Sequence, residues 1–168
     1  MLFDRIFVFL GLTYLFVPIL VFFNTFLNLW GILFSIFFAY FFYKLYLSLI
    51  RKDIDLFKKD SVVYWIIAIV LIMTWVYLSG IGGFAYQNDD FWARNAIYRD
   101  LINYDWPVIY DLSLEPDYVV NLLGTYKVAF SYYYIFWLPI ALISKTFNLS
   151  WSESNLLLYF YVVLGLLL

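Results

Sequence analysis

Two adjacent carboxylates, Asp89 and Asp90, are followed closely by Arg94, Asn95 and Arg99. Residues of these types at this spacing support three chemistries. Either carboxylate can act as a general base that takes a proton from an acceptor hydroxyl. The pair can hold a divalent cation, Mg or Mn, through oxygen ligands, and such a cation binds a phosphate. Arg94 and Arg99 can also meet a phosphate directly, because a guanidinium fork matches its oxygens. Lys127 lies further along and can either snorkel outward or face a phosphate. The plainer alternative is a capped surface helix with solvated charges. The chain contains no Cys and no His. Thiol nucleophiles, disulfides, the usual zinc sites and imidazole acid–base catalysis are therefore excluded, leaving carboxylates, Lys, Tyr and hydroxyls.

These side chains need an element to hold them. Asn88 or Asp89 is a suitable N-cap, acids suit a first helical turn, and Pro107 limits the helix to about Asn103. On that helix Phe91, Ile97, Tyr98, Leu101, Ile102 and Tyr104 share one face, and Asn95, Arg99, Asp100 and Asn103 the other. The pattern predicts an amphipathic helix lying at a membrane surface. Asp90 and Arg94 break it, since they fall within the apolar arc at a spacing that allows an ion pair. Charge on a lipid-facing arc is costly unless it faces protein or a wet cavity, which marks this helix as a candidate site. Tyr104 to Asp111 reads as extended, and Asp111, Glu115 and Asp117 as solvated loop acids.

The rest of the chain specifies a solvent of lipid. Apolar residues make up 66% of 168 positions and charged residues 13%, against roughly half and a quarter in soluble domains. Spanning helices need ~20 apolar residues. Five runs meet or approach that length: Ile6 to Phe23 with Pro18 inside, Leu29 to Leu49, Val62 to Ile81, Val128 to Ile143, and Asn155 to the end. The fold class expected is all-α, a polytopic transmembrane bundle of about five spans whose outer loop carries juxtamembrane amphipathic helices. A kink is expected at Pro18. Residues 1–60 read as an N-terminal hairpin with a basic loop, and residues 61–168 as a transmembrane core around the acidic loop 82–124.

Orientation follows from Lys and Arg. Lys44, Arg51, Lys52, Lys58 and Lys59 are half of the ten basic residues, and they place the segment Lys44 to Asp60, with the amino terminus, in the cytoplasm. Arg5 and Lys145 then fall on that same side. Segment 82–124 carries two Arg against six Asp and one Glu, a net of −5, and falls outside the plasma (inner) membrane. Leu45, Leu49, Ile50 and Leu56 among the basic residues suggest a short surface helix. The chain ends within the apolar run Leu156 to Leu168 and reads as the N-terminal piece of a longer protein. The sequence pI of 4.8 argues against nucleic acid as a partner. The glycosylation-type triplet Asn148-Leu149-Ser150 falls on the cytoplasmic side in this reading.

The run Gln87-Asn88-Asp89-Asp90, with Arg94-Asn95, Arg99-Asp100-Leu101 and Trp106-Pro107-Val108 after it, resembles the first outer loop of bacterial polytopic membrane glycosyltransferases of the GT-C superfamily. The likeness covers about Val62 to Lys145. It implies that Asp89 or Asp90 is the catalytic acid. It also implies transfer of a sugar from a polyprenyl-phosphate donor to a glycan or lipid acceptor at the outer face, with Arg94, Asn95, Arg99 or Lys127 on the substrate. Two alternatives stand beside it. A polysaccharide polymerase or ligase would depend on Arg99 and not on the Asp pair. A transporter or scaffold subunit needs no chemistry, although no predicted span carries charge at its centre, where coupled transporters place it.

Overall fold

In the computed structural model, which describes residues 2–51, 62–129 and 133–168, the chain is mostly helical. Two long apolar helices come first, α1 (Leu2–Phe26) and α2 (Asn28–Ile50). Both are long and apolar enough to cross a membrane. Only 11% of the α1 span and 0% of the α2 span are buried in protein, so neither is the core helix of a water-soluble fold. They form a hairpin zipped by rings. Phe9 meets Phe42 and Tyr46, Phe16 meets Phe38 and Phe42, and Phe23 meets Phe34 and Phe38, mostly edge to face. The Asn24 amide donates to Ser35 Oγ at 2.8 Å, tying the two helices together near the turn that joins them. Helix α1 continues through Pro18 without a break.

Two shorter apolar helices complete the elongated part. Helix α3 (Val62–Leu78) packs against α7 (Trp151–Leu167) through Val76, Tyr159 and Val163. The Tyr159 hydroxyl donates to Met73 O at 3.0 Å. Seventeen residues span ~25 Å at 1.5 Å each, close to the lower limit for a crossing. Tyr14 lies on Tyr161, and Gly11 lies beside Leu168, so α7 runs antiparallel to α1.

Between α3 and α7 the chain builds a cap on one end of the bundle. It contains the 3-10 turn Ile81–Gly83, α4 (Asp90–Asn103), strand β1 (Ile109–Asp111), α5 (Asp117–Leu123) and strand β2 (Lys127–Ala129). A second 3-10 turn, Ile135–Trp137, then leads into α6 (Leu138–Thr146). The strands pair antiparallel, Ile109 with Ala129 and Asp111 with Lys127. This small ribbon is a minor addition to a chain that is otherwise mostly helical, as expected. Helix α4 stops where Pro107 was expected to stop it, and the Trp106–Pro107 peptide is cis.

The cap core joins α4, α6 and α7 through Ile97, Tyr98, Leu101, Leu138, Ile140, Ala141 and Leu158. Tyr98 is 1% exposed and its hydroxyl donates to Ser154 O at 2.8 Å, with Ser144 Oγ at 3.4 Å. The apolar arc of α4 therefore faces protein, which corrects its assignment to a lipid surface. The sequence pattern is the same for both, because lipid and protein cores select the same side chains.

The run Val128 to Ile143 does not form a spanning helix. Its described residues are divided among β2, the 3-10 turn and α6, and the nine residues of α6 extend only ~14 Å. Lys145 Nζ donates to Tyr104 O at 2.7 Å and pairs with Asp105 at 3.1 Å. Lys145 and the Asn148 triplet thus lie at the same end as the loop 82–124, which corrects their placement on the opposite side. The segment expected to hold a basic surface helix lies largely outside the described residues. Arg5, Lys44 and Arg51 occupy the far end of the bundle.

Burial pushes the Tyr98 hydroxyl up from 10.0 to about 12, against the opposing effect of Ser144 and Ser154. A raised tyrosine pKa stabilises the fold fully below the unfolded value, and that contribution is lost as pH rises through the folded value. Tyr98→Phe removes the hydrogen bond to Ser154 O, which keeps its helical donor, and should cost about 1 kcal/mol at neutral pH. In detergent-phase unfolding the gap between wild type and variant should close between pH 10 and 12. A gap that persists unchanged to higher pH would contradict this assignment.

Candidate functional site

A cavity of about 360 Å³ opens in the cap beside α4. Its floor is the turn at Ile81 and Gly82, one wall is Phe91, Arg94, Asn95 and Tyr98 of α4, and the others are Tyr133, Phe136 and Trp137 and then Leu158 and Val162 of α7. The lining is apolar and aromatic with one cation and one amide, the composition of a site for an amphiphilic small molecule.

Local sequence dictates this geometry. Helix α3 ends at Leu78, and Gly80 and Gly82 take φ of 83° and 84°, which residues with a Cβ rarely adopt. A Cβ on Gly80 would lie 2.8 Å from Tyr86 O. The resulting turn lets Gln87 Nε2 donate to Gly80 O at 2.7 Å, while Gln87 Oε1 accepts from Asn95 Nδ2 at 2.9 Å. This relay holds Asn95 against the turn that forms the cavity floor. It went unread in the sequence, since Gln87 and Asn95 are eight residues apart and meet only because the chain reverses between α3 and α4.

The six residues expected to act are distributed unevenly. Arg94 and Asn95 line the cavity together. Arg94 does not bridge to Asp90. Its guanidinium lies over the Phe91 ring, 5.3 Å from the centroid. Its position within the apolar arc of α4 is explained by this cavity and not by an ion pair. Asp89 and Asp90 are exposed at the start of α4 and are not among the lining residues. Asp89 precedes the first turn without a side-chain capping bond. Among the described residues no group of three or more acidic side chains converges to hold a metal ion. Lys127 stands apart on β2, exposed, in register with Asp111. Arg99 borders a different and smaller cavity, with Ile102, Asn103, Leu149, Trp151 and Ser154.

Two further polar ties hold the cap. The Tyr110 hydroxyl donates to Asp100 Oδ2, joining β1 to α4. Burial, and then the Asp100 carboxylate, push the Tyr110 hydroxyl up, so it remains a donor. Ser113 donates from both N and Oγ to Asp111 Oδ1 and holds that carboxyl below its usual range.

The chain matches no family model, no curated protein and no solved structure.

Gly80→Ala should lower stability by about 1–3 kcal/mol, the cost of a left-handed backbone at a residue with a Cβ. Thermal unfolding of the purified variant checks this, and a melting temperature equal to wild type would contradict the tight turn.

Proposed function

We propose that this chain is an integral membrane protein that transfers a sugar from a polyprenyl-phosphate donor at the outer face of the plasma membrane. Helices α1, α2, α3 and α7 are the crossing elements in this reading, and the cap lies outside. The basic far end, with Arg5, Lys44 and Arg51, faces the cytoplasm, as the bias of Lys and Arg toward that side requires. The cap then sits where a lipid-linked donor presents its phosphate.

The observation that carries the reading is the cavity in which Arg94 and Asn95 meet a wall of Phe136, Trp137, Leu158 and Val162. An isoprenoid phosphate has the matching two-part chemistry, an anion for the guanidinium and a hydrocarbon for the aromatic wall. In the transfer, Asp89 or Asp90 takes the proton of the acceptor hydroxyl, whose oxygen bonds to the anomeric carbon of the sugar. The bond from that carbon to the carrier phosphate breaks, and the phosphate leaves with the electron pair, its charge met by Arg94. Both carboxylates are exposed at the first turn of α4, where an acceptor arriving from water can reach them.

The position of Asp89 and Asp90 outside the cavity lining favours one second reading, a non-enzymatic lipid-binding scaffold or transporter subunit. The two readings separate in one assay with a radiolabelled polyprenyl-phosphate sugar and membranes containing the protein. Transfer should occur with wild type and fall by at least ~10²-fold in the Asp89→Ala/Asp90→Ala double variant at equal expression. Arg94→Gln should weaken donor binding by ~10- to 100-fold. Undiminished transfer by the double variant would overturn the catalytic assignment. Binding without transfer by wild type would favour the scaffold.

A further inference from the structure

The side-chain amides of Gln87 and Asn95 can each be turned two ways, and the backbone carbonyl of Gly80 decides both. A carbonyl oxygen only accepts, and Gly80 O takes Gly83 N at 3.1 Å and Gln87 Nε2 at 2.7 Å. The Gln87 nitrogen is thereby committed to the turn, and its oxygen is left for Asn95. That oxygen needs a donor, so Asn95 presents Nδ2 to it, at 2.9 Å. Asn95 Oδ1 is the atom left over. Among the described residues no donor reaches it.

Asn95 is half-buried and lines the Arg94 cavity. We propose that Asn95 sets the specificity of this cavity: its Oδ1, held in place by Gln87, accepts a hydrogen bond from a hydroxyl or amide N–H on the sugar carbon next to the anomeric centre. The proposal rests on the reading of the cavity as the site of a lipid-linked sugar.

The neighbouring polar groups do not duplicate this role. Arg94 can only donate, and the Tyr98 hydroxyl is spent on Ser154 O. Arg94 and Asn95 are consecutive on α4, so the anion and the hydrogen-bond donor must lie close together in the ligand. In a polyprenyl-phosphate sugar the phosphate is joined to the anomeric carbon. One ring neighbour of that carbon is the ring oxygen, which has no hydrogen to give. The other is a carbon, and its substituent is the sugar's donor closest to the phosphate. A ligand that lacks that substituent fills the cavity and excludes water while leaving Oδ1 without a donor, and the unmatched acceptor weakens its binding.

Gln87 is not among the lining residues, so it acts through Asn95 as a positioning residue. Without its oxygen the Asn95 amide is free to rotate and offers nitrogen as readily as oxygen to the ligand. Selectivity should then fall although no group that touches the sugar has changed.

The test measures binding of polyprenyl-phosphate glucose and of its 2-deoxyglucose counterpart to the full chain in nanodiscs. The readout is the ratio of the two affinities, which a merely structural loss does not move because it weakens both ligands alike. Wild type should bind the glucose form ~10-fold more tightly, the worth of one hydrogen bond in a partly dry site. Asn95→Leu should bring the ratio to about one, with the 2-deoxy form bound as by wild type, and Gln87→Met should lower the ratio toward one. Arg94→Gln should weaken both ligands and keep the ratio. Equal affinities in wild type would overturn this proposal and leave the lipid-linked donor standing. An undiminished ratio in Asn95→Leu or in Gln87→Met would overturn it as well. Failure of wild type to bind either ligand would overturn the donor reading and this inference with it.

Discussion

A single buried hydroxyl organises this protein's capped end. Tyr98 sits in the middle of α4, almost without exposure, and ties that helix to the start of α7 and to α6. A tyrosine can be buried this deeply only if its O–H finds a partner, and the Ser154 carbonyl in the first turn of α7 supplies one through the lone pair its helical bond leaves free. Everything else in the cap is fixed relative to that bond. Leu101 and Ile97 pack below it, and Leu138 and Ala141 of α6 close over it. The two cavities lie on either side of it, one holding Arg94 and Asn95 and the other Arg99 and Ser154.

The bond also decides which end of the bundle α6 occupies. If α4, α6 and the start of α7 are one packed unit, α6 cannot be carried to the opposite end of the bundle. Lys145, at the end of α6, pairs with Asp105, a few residues after α4. Four apolar helices are then left to run the length of the bundle, with their basic residues at one end and the acidic, aromatic cap at the other. Leu168, at the end of α7, lies beside Gly11 in the first half of α1.

Much of the helical architecture was legible in the sequence because apolar length is a strong signal. The runs at α1, α2, α3 and α7 correspond to helices, and α4 ends where Pro107 demands. The Ser150-Trp151-Ser152-Glu153 capping box went unread, and it starts α7 four residues ahead of the expected Asn155, with both of its hydrogen bonds present. The run from Val128 to Ile143 misled because apolar side chains suit a protein core as well as a bilayer. Its short α6 buries Leu138, Ile140 and Ala141 against α4 and α7 instead of lipid. The candidate site was legible in part. Arg94 interrupts the apolar face of α4, and it borders a cavity there. The partners that shape it, Trp137 and Leu158 among them, come from segments distant in sequence, and no local pattern announces them.

Because the chain contains no cysteine, a single introduced thiol reports its own side of the membrane without background. The most direct measurement is the reaction of Lys145→Cys, Leu114→Cys and Arg51→Cys with a membrane-impermeant maleimide in intact cells and in inverted vesicles. Lys145→Cys and the fully exposed Leu114→Cys should label from the same face, and Arg51→Cys from the other. Labelling of Lys145→Cys together with Arg51→Cys would mean that α6 crosses the membrane, and the cap built around Tyr98 would not exist.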